Sequence, residues 1–320
     1  MGEFELIRTY LSDLGVRRAD VGLDVGDDCA LLRVPPGLEL AVSIDTLVAG
    51  VHFFADCDPV ALGHKSLAVG LSDLAAMGAE PAWATLALTL PDVDRDWLAG
   101  FARGLDALAR EHGLRLVGGD TTRGPLTISV QVHGLVPRGE ALRRSGARPG
   151  DLICVSGNLG AAALALRQLL RGERPEAGLR ARLERPMPRI ALGQALRGLA
   201  SAAIDISDGL AGDLGHILAA SGVGATVELG RLPLARQVAE VVAASGGDWA
   251  LPLGGGDDYE LCFTLPSEHA PLLPALARRV GCPLARIGVI ESDQVQRWRL
   301  PDGMDWQGSP MGFDHFARQP

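Results

Sequence analysis

Residues 126–136, LTISVQVHGLV, alternate strictly: Leu126, Ile128, Val130, Val132 and Val136 fall on one side, Thr127, Ser129, Gln131 and His133 on the other. A chain carrying that pattern must build a sheet with one face on a core and the other in a more polar setting. Around it, LAVSID at 40–45 and AWATLALTL at 82–90 read as further strands. Residues 59–77 and 96–112 repeat their apolar positions at helical spacing. The first part of the chain is therefore predicted to be mixed α/β.

At 320 residues the chain exceeds the size at which single cores usually stop growing, so two domains are expected. The run PRGEALRRSGARPGD at 137–151, rich in Arg, Gly and Pro, is the predicted crossing, giving an N-terminal domain at 1–140 and a C-terminal α/β domain at 141–320. The second opens with DLICVSGNLGAAALALRQLL, a strand, a glycine turn and a helix. A charged excursion, RGERPEAGLRARLERPMP, precedes a helix predicted at 189–199; strands are expected at 225–229, 260–265, 286–290 and 295–300.

Six segments concentrate acids and glycines: GDDCALL from Gly26, SIDTLVAGVHF from Ser43, LSDLAAMGAEP from Leu71, GGDTTRG from Gly118, DISDGLAGDLGHI from Asp205 and GGGDDYEL from Gly254. An Asp beside Gly is usually a turn or helix cap. Asp45, however, is expected at the end of an apolar strand, where α/β folds present ligand-binding groups. Asp73 shares a helix face with Ser66 beside Leu67, Leu71 and Leu74, and a solvated helix face is the other reading. Asp205 and Asp208, three apart at the start of a predicted helix, are spaced for their carboxylates to converge, with Ser207 as a first-turn cap; the other reading is a cap cluster serving the helix dipole. Mg²⁺ takes such hard oxygen ligands together with substrate phosphates. Gly118 and Gly119 leave room for backbone to approach a nucleotide phosphate beside Asp120.

Other chemistries fit less well. With 39 acidic against 30 basic residues, a net charge of −9 opposes a nucleic-acid groove. The five cysteines are far apart and never form CxxC, so neither a disulfide framework nor a zinc site is indicated. GHKS at Gly63 lacks Walker-loop spacing, DISDGL is not a calcium loop, and GNLG at 157–160 is too short for a dinucleotide fingerprint and reads as a tight strand-to-helix turn. The first residues, MGEFELIRTYLSDLG, read as a short amphipathic helix rather than a signal peptide, and no apolar stretch is long enough for a membrane span. A reducing cytoplasm is the expected compartment.

In order along the chain, GDDCALL, SIDTLVAGVHF, KSLAVGLSDLAAMGAEPAW, LVGGDTTRGP, AIDISDGLAGDLGHI, GGGDDYELCFT and the terminal GFDHF resemble the thiamine-monophosphate kinase family, of the aminoimidazole ribonucleotide synthetase-like superfamily. The resemblance implies a two-domain α/β (α+β) fold. It implies a homodimer whose N-terminal sheets join in a barrel, and transfer of the γ-phosphoryl group of ATP to thiamine monophosphate with several Mg²⁺ ions. A potassium ion is left open as an auxiliary. By position, Asp28, Ser43, Asp45, Asp73, Asp120, Asp205 and Asp208 would bind magnesium, with Ile44 contributing its backbone. Gly119, Asp120, Arg144 and Ser207 would hold ATP; His52, Asp257 and Phe313 would face the acceptor. Asp45, Asp120, Asp208 and Arg144 would carry the transfer itself.

Three positions depart from the family pattern. Ile44 stands where a hydroxyl residue is common, Asp257 where Glu is usual, and Phe313 where Trp or Tyr often stands; Phe313 can still stack on a cationic ring. A phosphate monoester has its second pKa near about 6, so an acceptor phosphate is ionised without a general base, and alignment plus charge neutralisation suffices. Two other readings remain: an ATP-dependent synthetase of the same superfamily, and a non-catalytic Mg²⁺ or nucleotide sensor.

Overall fold

The computed structural model describes residues 2–308, and its contacts divide the chain into two units. One comprises residues up to 141 apart from 75–78; the other comprises 75–78 and the residues from 142 onward.

In the first unit α1 (Glu3–Leu6) runs into a π-helical turn at Ile7–Leu11. A ribbon of β1 (Val21–Leu23) and β2 (Leu31–Leu32) follows. Then come β3 (Leu38–Val48), α2 (Pro59–Ala76), β4 (Glu80–Leu90), α3 (Arg95–Glu111), β5 (Arg115–Arg123) and β6 (Thr127–Pro137). The sheet order is β3-β6-β4-β5, with β4 and β5 parallel and the other pairs antiparallel. Leu86, Leu88, Val130 and Val132 are buried on one face. On the other, Leu40, Val42 and Ile44 of the edge strand β3 are 45%, 50% and 62% exposed. The alternation that predicts β6 is thus real, and its polar side belongs to this second face. β3 continues three residues past Asp45, so that aspartate sits within a strand and not at its end.

Asp94 caps α3 by accepting the Asp96 and Trp97 amides, and Leu98, Phe101, Leu105 and Leu108 form its buried stripe. The two helices touch backbone to backbone: a Cβ on Gly63 would lie 2.0 Å from the Phe101 carbonyl oxygen, and one on Gly104 1.9 Å from that of Val60. The N-terminal segment is tied down by Arg115, which is buried and donates to the carboxylates of Asp13 and Asp24.

The second unit contains β7 (Leu152–Ser156), α4 (Ala161–Leu170), α5 (Ala177–Glu184), α6 (Ile190–Leu196), β8 (Ala202–Asp205), α7 (Leu210–Ser221) and β9 (Gly224–Glu228). It continues with α8 (Arg236–Ala244), α9 (Ala250–Gly254), β10 (Leu261–Leu265), α10 (Leu273–Val280), β11 (Leu284–Glu291) and β12 (Gln296–Arg299). The six strands run β12-β9-β11-β7-β10-β8. β7, β8 and β10 are buried throughout, which explains why LICVS, AAID and LCFTL read as unbroken runs without alternation. One core lies between the sheet and α7, built around Ile153, Ile204, Leu214 and Ile287; a second joins α4, α5 and α8. The charged excursion therefore hides a helix, α5, which buries Leu179 and Leu183.

Candidate active site

The sequence-selected acids of the first unit do not all gather in one place. Ser43, Asp45 and Asp73 do. β3 carries Ser43 and Asp45 on its covered side, and α2 crosses close above because Gly70 has no side chain. A Cβ there would press on the Val132 methyls at 3.1 Å and lie 3.6 Å from Asp45 Oδ2. Asp73, one turn later, then meets β3: Ser43 Oγ donates to Asp73 Oδ2 at 2.5 Å. Asp45 is pushed up to about 7, first by burial and then by the charge of, and a hydrogen bond with, the Asp73 carboxyl. Two carboxyls held together at a partly dry place repel once both are ionised, and a hard cation relieves that repulsion. Ser66, by contrast, is buried and donates to the Leu62 carbonyl, as an ordinary back-bonded helix hydroxyl.

Asp120 lies elsewhere. The register sets Asp45 beside Val130, and Val130 beside Leu86, on the covered face. Asp120 pairs with Ala87 on the far edge strand and shares the other face. Gly119 is required there: its φ is +151° and a Cβ would fall 1.9 Å from the Leu86 carbonyl oxygen. Ile44 turns its side chain to the uncovered face, leaving only its main chain near the carboxylates. Asp28 is exposed between β1 and β2, with its amide donating to Asp27 Oδ1 at 2.8 Å. His52, in the loop after β3, accepts the Val48 amide on Nδ1 at 3.0 Å, so its ring is the neutral tautomer with hydrogen on Nε2.

In the second unit Asp205 ends β8 and is buried, and the chain turns through Ser207, Asp208 and Gly209 into α7. The expected cap is corrected here. α7 begins at Leu210, so Asp205 and Asp208 lie ahead of it, and Ser207 does not cap it because the turn opens the helix on Gly209 instead. Asp213 supplies the carboxylate that the turn needs, accepting the amides of Asp208 at 3.2 Å and Gly209 at 3.1 Å. Burial, then the Asp208 charge, pushes Asp213 up to about 7. The sequence reading did not single out Asp213; its place within the first turns after an Asp-Gly step was the signal available.

The 254–260 loop packs on this turn. The Asp257 amide donates to the Ser207 carbonyl and the Tyr259 amide to that of Ile206, both at 2.8 Å. A Cβ on Gly256 would lie 2.6 Å from the Ser207 oxygen, and one on Gly209 2.8 Å from the Leu253 oxygen, so both glycines are needed for the approach. Asp257 (φ +60°) and Tyr259 (φ +48°) are the described non-glycine residues in left-handed backbone, at a cost of about 1–2 kcal/mol each. Arg144 is exposed on the segment entering this unit, its carbonyl accepting from Ser221 Oγ. Phe313 lies outside the described residues.

Models of the AIR synthase related protein family match twice, the N-terminal domain over residues 26–136 and the C-terminal domain over 148–299. A thiamine-monophosphate kinase from Salmonella typhimurium is 50% identical, over 99% of this chain and 98% of its own. The chain belongs to the thiamine-monophosphate kinase family. A crystal structure of such a kinase from Stenotrophomonas maltophilia K279a is 47% identical, with a TM-score of 0.84 over 91% of this chain and 93% of its own. AaThiL, complexed with AMPPCP and TMP, is 30% identical, with a TM-score of 0.77 over 98% and 97%. The two-unit α/β architecture is thus that of the kinase family. Among the described residues no helix is long and apolar enough to cross a membrane.

Proposed function

We propose that the protein transfers the γ-phosphoryl group of ATP to thiamine monophosphate, giving thiamine diphosphate and ADP. The observation that carries this is the full-length likeness to thiamine-monophosphate kinases, which spans every acidic segment described above. The AMPPCP and TMP held by AaThiL support a nucleotide and a phosphorylated acceptor as the two ligands.

The residues fit magnesium. Asp45, Asp73 and the Ser43 hydroxyl form an all-oxygen donor set; Asp28, Asp120, Asp205, Asp208 and the Ile44 main chain would be the further ligands. Mg²⁺, when bound, neutralises phosphate charge. The chain's own groups do the rest. Gly119 brings bare backbone to the nucleotide, beside Asp120. Arg144 and Ser207 add donors to its phosphates, and His52, through Nε2–H, together with Asp257 and Phe313, orients the acceptor. The acceptor's phosphate is already ionised, so no side chain has to take a proton, and the reaction rests on alignment and charge.

A second copy of the chain is part of the reading. The apolar row Leu40, Val42 and Ile44 lies on an uncovered sheet face, and Asp120 stands on that same face, away from Asp45. A homodimer with the two sheets face to face would bury the row. In this reading the N-terminal domain, 1–140, is the metal and ATP platform, followed by the C-terminal α/β domain at 141–320, in a cytoplasmic enzyme.

The test is a direct assay with ATP, Mg²⁺ and thiamine monophosphate, resolving both products by chromatography. The expected result is ADP and thiamine diphosphate in equal amounts. ADP formed only with aminoimidazole precursors would instead make the protein a synthetase.

A further inference from the structure

The 254–260 loop holds two acids that the proposed reaction does not use, and both are directed at a motif the reaction also leaves unexplained. Asp258 accepts the Gly160 amide on both carboxylate oxygens, at 2.9 and 3.1 Å. Glu260, 1% exposed, accepts from Ser156 Oγ and Arg189 Nε at 2.6 Å each, and its other oxygen is paired with Arg189 and Arg182. Asp258 thus holds the last residue of the short turn between β7 and α4, GNLG at 157–160, while Glu260 bonds to Ser156 just before the turn and lies against its first residue, Gly157. That turn is shaped to receive them. Gly157 has φ +58°, and a Cβ there would overlap the Glu260 carboxylate; Gly160 has φ +80° and presents its amide at the start of α4.

Asp258 lies between the two left-handed residues, Asp257 and Tyr259. Strained backbone of this kind persists only where its surroundings over-determine it. On one side the loop is bonded to the carbonyls of Ile206 and Ser207; on the other, Asp258 is the anchor. Glu260 fixes where β10 begins, but it stands outside the strained pair, so it cannot hold Asp257 by itself.

We propose that Asp258 is a positioning residue: by holding the Gly160 amide it keeps Asp257 and Tyr259 left-handed, and so sets Asp257 against the Ser207 turn for recognition of the acceptor. This rests on the reading of Asp257 as an acceptor contact. The bond acts through geometry, so an oxygen acceptor is what matters at position 258, and Asp258→Asn preserves it whereas Asp258→Ala does not.

The experiment is steady-state kinetics of the full-length wild type, Asp258→Ala and Asp258→Asn with both substrates varied. It is joined by hydrogen exchange at the Gly160, Asp257 and Tyr259 amides. Loss of one buried hydrogen bond predicts that Asp258→Ala raises KM for thiamine monophosphate about tenfold or more. KM for ATP and kcat should stay within about threefold, and the three amides should exchange faster. Asp258→Asn should lie within about threefold of wild type in every constant and keep the protection. An unchanged acceptor KM in Asp258→Ala overturns the proposal. So does an Asn variant as impaired as Ala, or parallel loss of kcat and ATP affinity. If Asp258→Ala does not fold, Asp258→Asn still decides, because a raised acceptor KM there refutes the acceptor role of the oxygen. A wild type without thiamine monophosphate turnover sinks the kinase reading instead, and the exchange data still report on the anchor.

Discussion

The two units supply their buried acids with different partners. In the first, Asp45 meets another carboxyl, and burial and Asp73 both push it up, to about 7. In the second, Glu260 is held by the guanidinium of Arg189 and the Ser156 hydroxyl, and Asp213 and Asp258 accept backbone amides. Acids supplied with donors by their own chain are architecture. Asp213 is also pushed up, with the Asp208 charge as the second cause, but two backbone amides satisfy it; for the Asp45–Asp73 pair, a hard divalent cation takes that part in the function proposed above.

That contrast can be broken from either side, beginning with the architectural acids. Arg189→Ala leaves a buried Glu260 carboxylate short of its main counter-charge and should cost about 3–5 kcal/mol of stability, read by chemical denaturation. A cost below about 1 kcal/mol would mean that Glu260 is not held as described. Asp45→Asn should do the reverse, sparing the fold and removing turnover. Several kcal/mol of charge stabilisation at the transition state are at stake, about a hundredfold or more in kcat/KM. Wild-type kinetics across a magnesium titration would refute the assignment.

Smaller effects sharpen the same line. Asp213→Ala strips the acceptor from the Asp208 and Gly209 amides and should destabilise by about 1–2 kcal/mol, with Asp213→Asn closer to wild type in thermal melts. pH acts on both units, since Asp213 is also pushed up to about 7. Because the folded-state pKa of Asp45 is raised above its ordinary 3.8, the folded protein binds more protons than the unfolded chain between these values. Its contribution is full below about pH 4 and is lost as pH rises through about 7. Cation-free protein should therefore lose stability over that range, Asp45→Asn should lose less, and magnesium should restore the wild type near neutrality.

Much of the framework was legible. Alternation marked β6, apolar strand-like runs marked β3 and β4, and helical spacing marked α2 and α3 to within a few residues. α5 was not, because a helix that buries only Leu179 and Leu183 among arginines shows no sustained period. The acid segments were visible, and Ser43, Asp45 and Asp73 do converge. The division of labour among acids was not visible, since Asp257, Asp258 and Glu260 are near neighbours and only the fold tells which meets an amide, which an arginine and which the Ser207 turn. Asp120 was grouped with Asp45 by motif, and strand register sets it on the other face, something no local pattern encodes.

The central claim is that the Asp45–Asp73 pair is a divalent-cation site, and proton release on magnesium binding tests it most directly. A carboxyl with a pKa of about 7 must give up its proton when a cation takes its place. Calorimetric titration of magnesium at pH 6.5, in two buffers of different ionisation enthalpy, should show proton release by the wild type and none by Asp45→Asn. Binding without proton release, or equal release from the variant, would contradict the account.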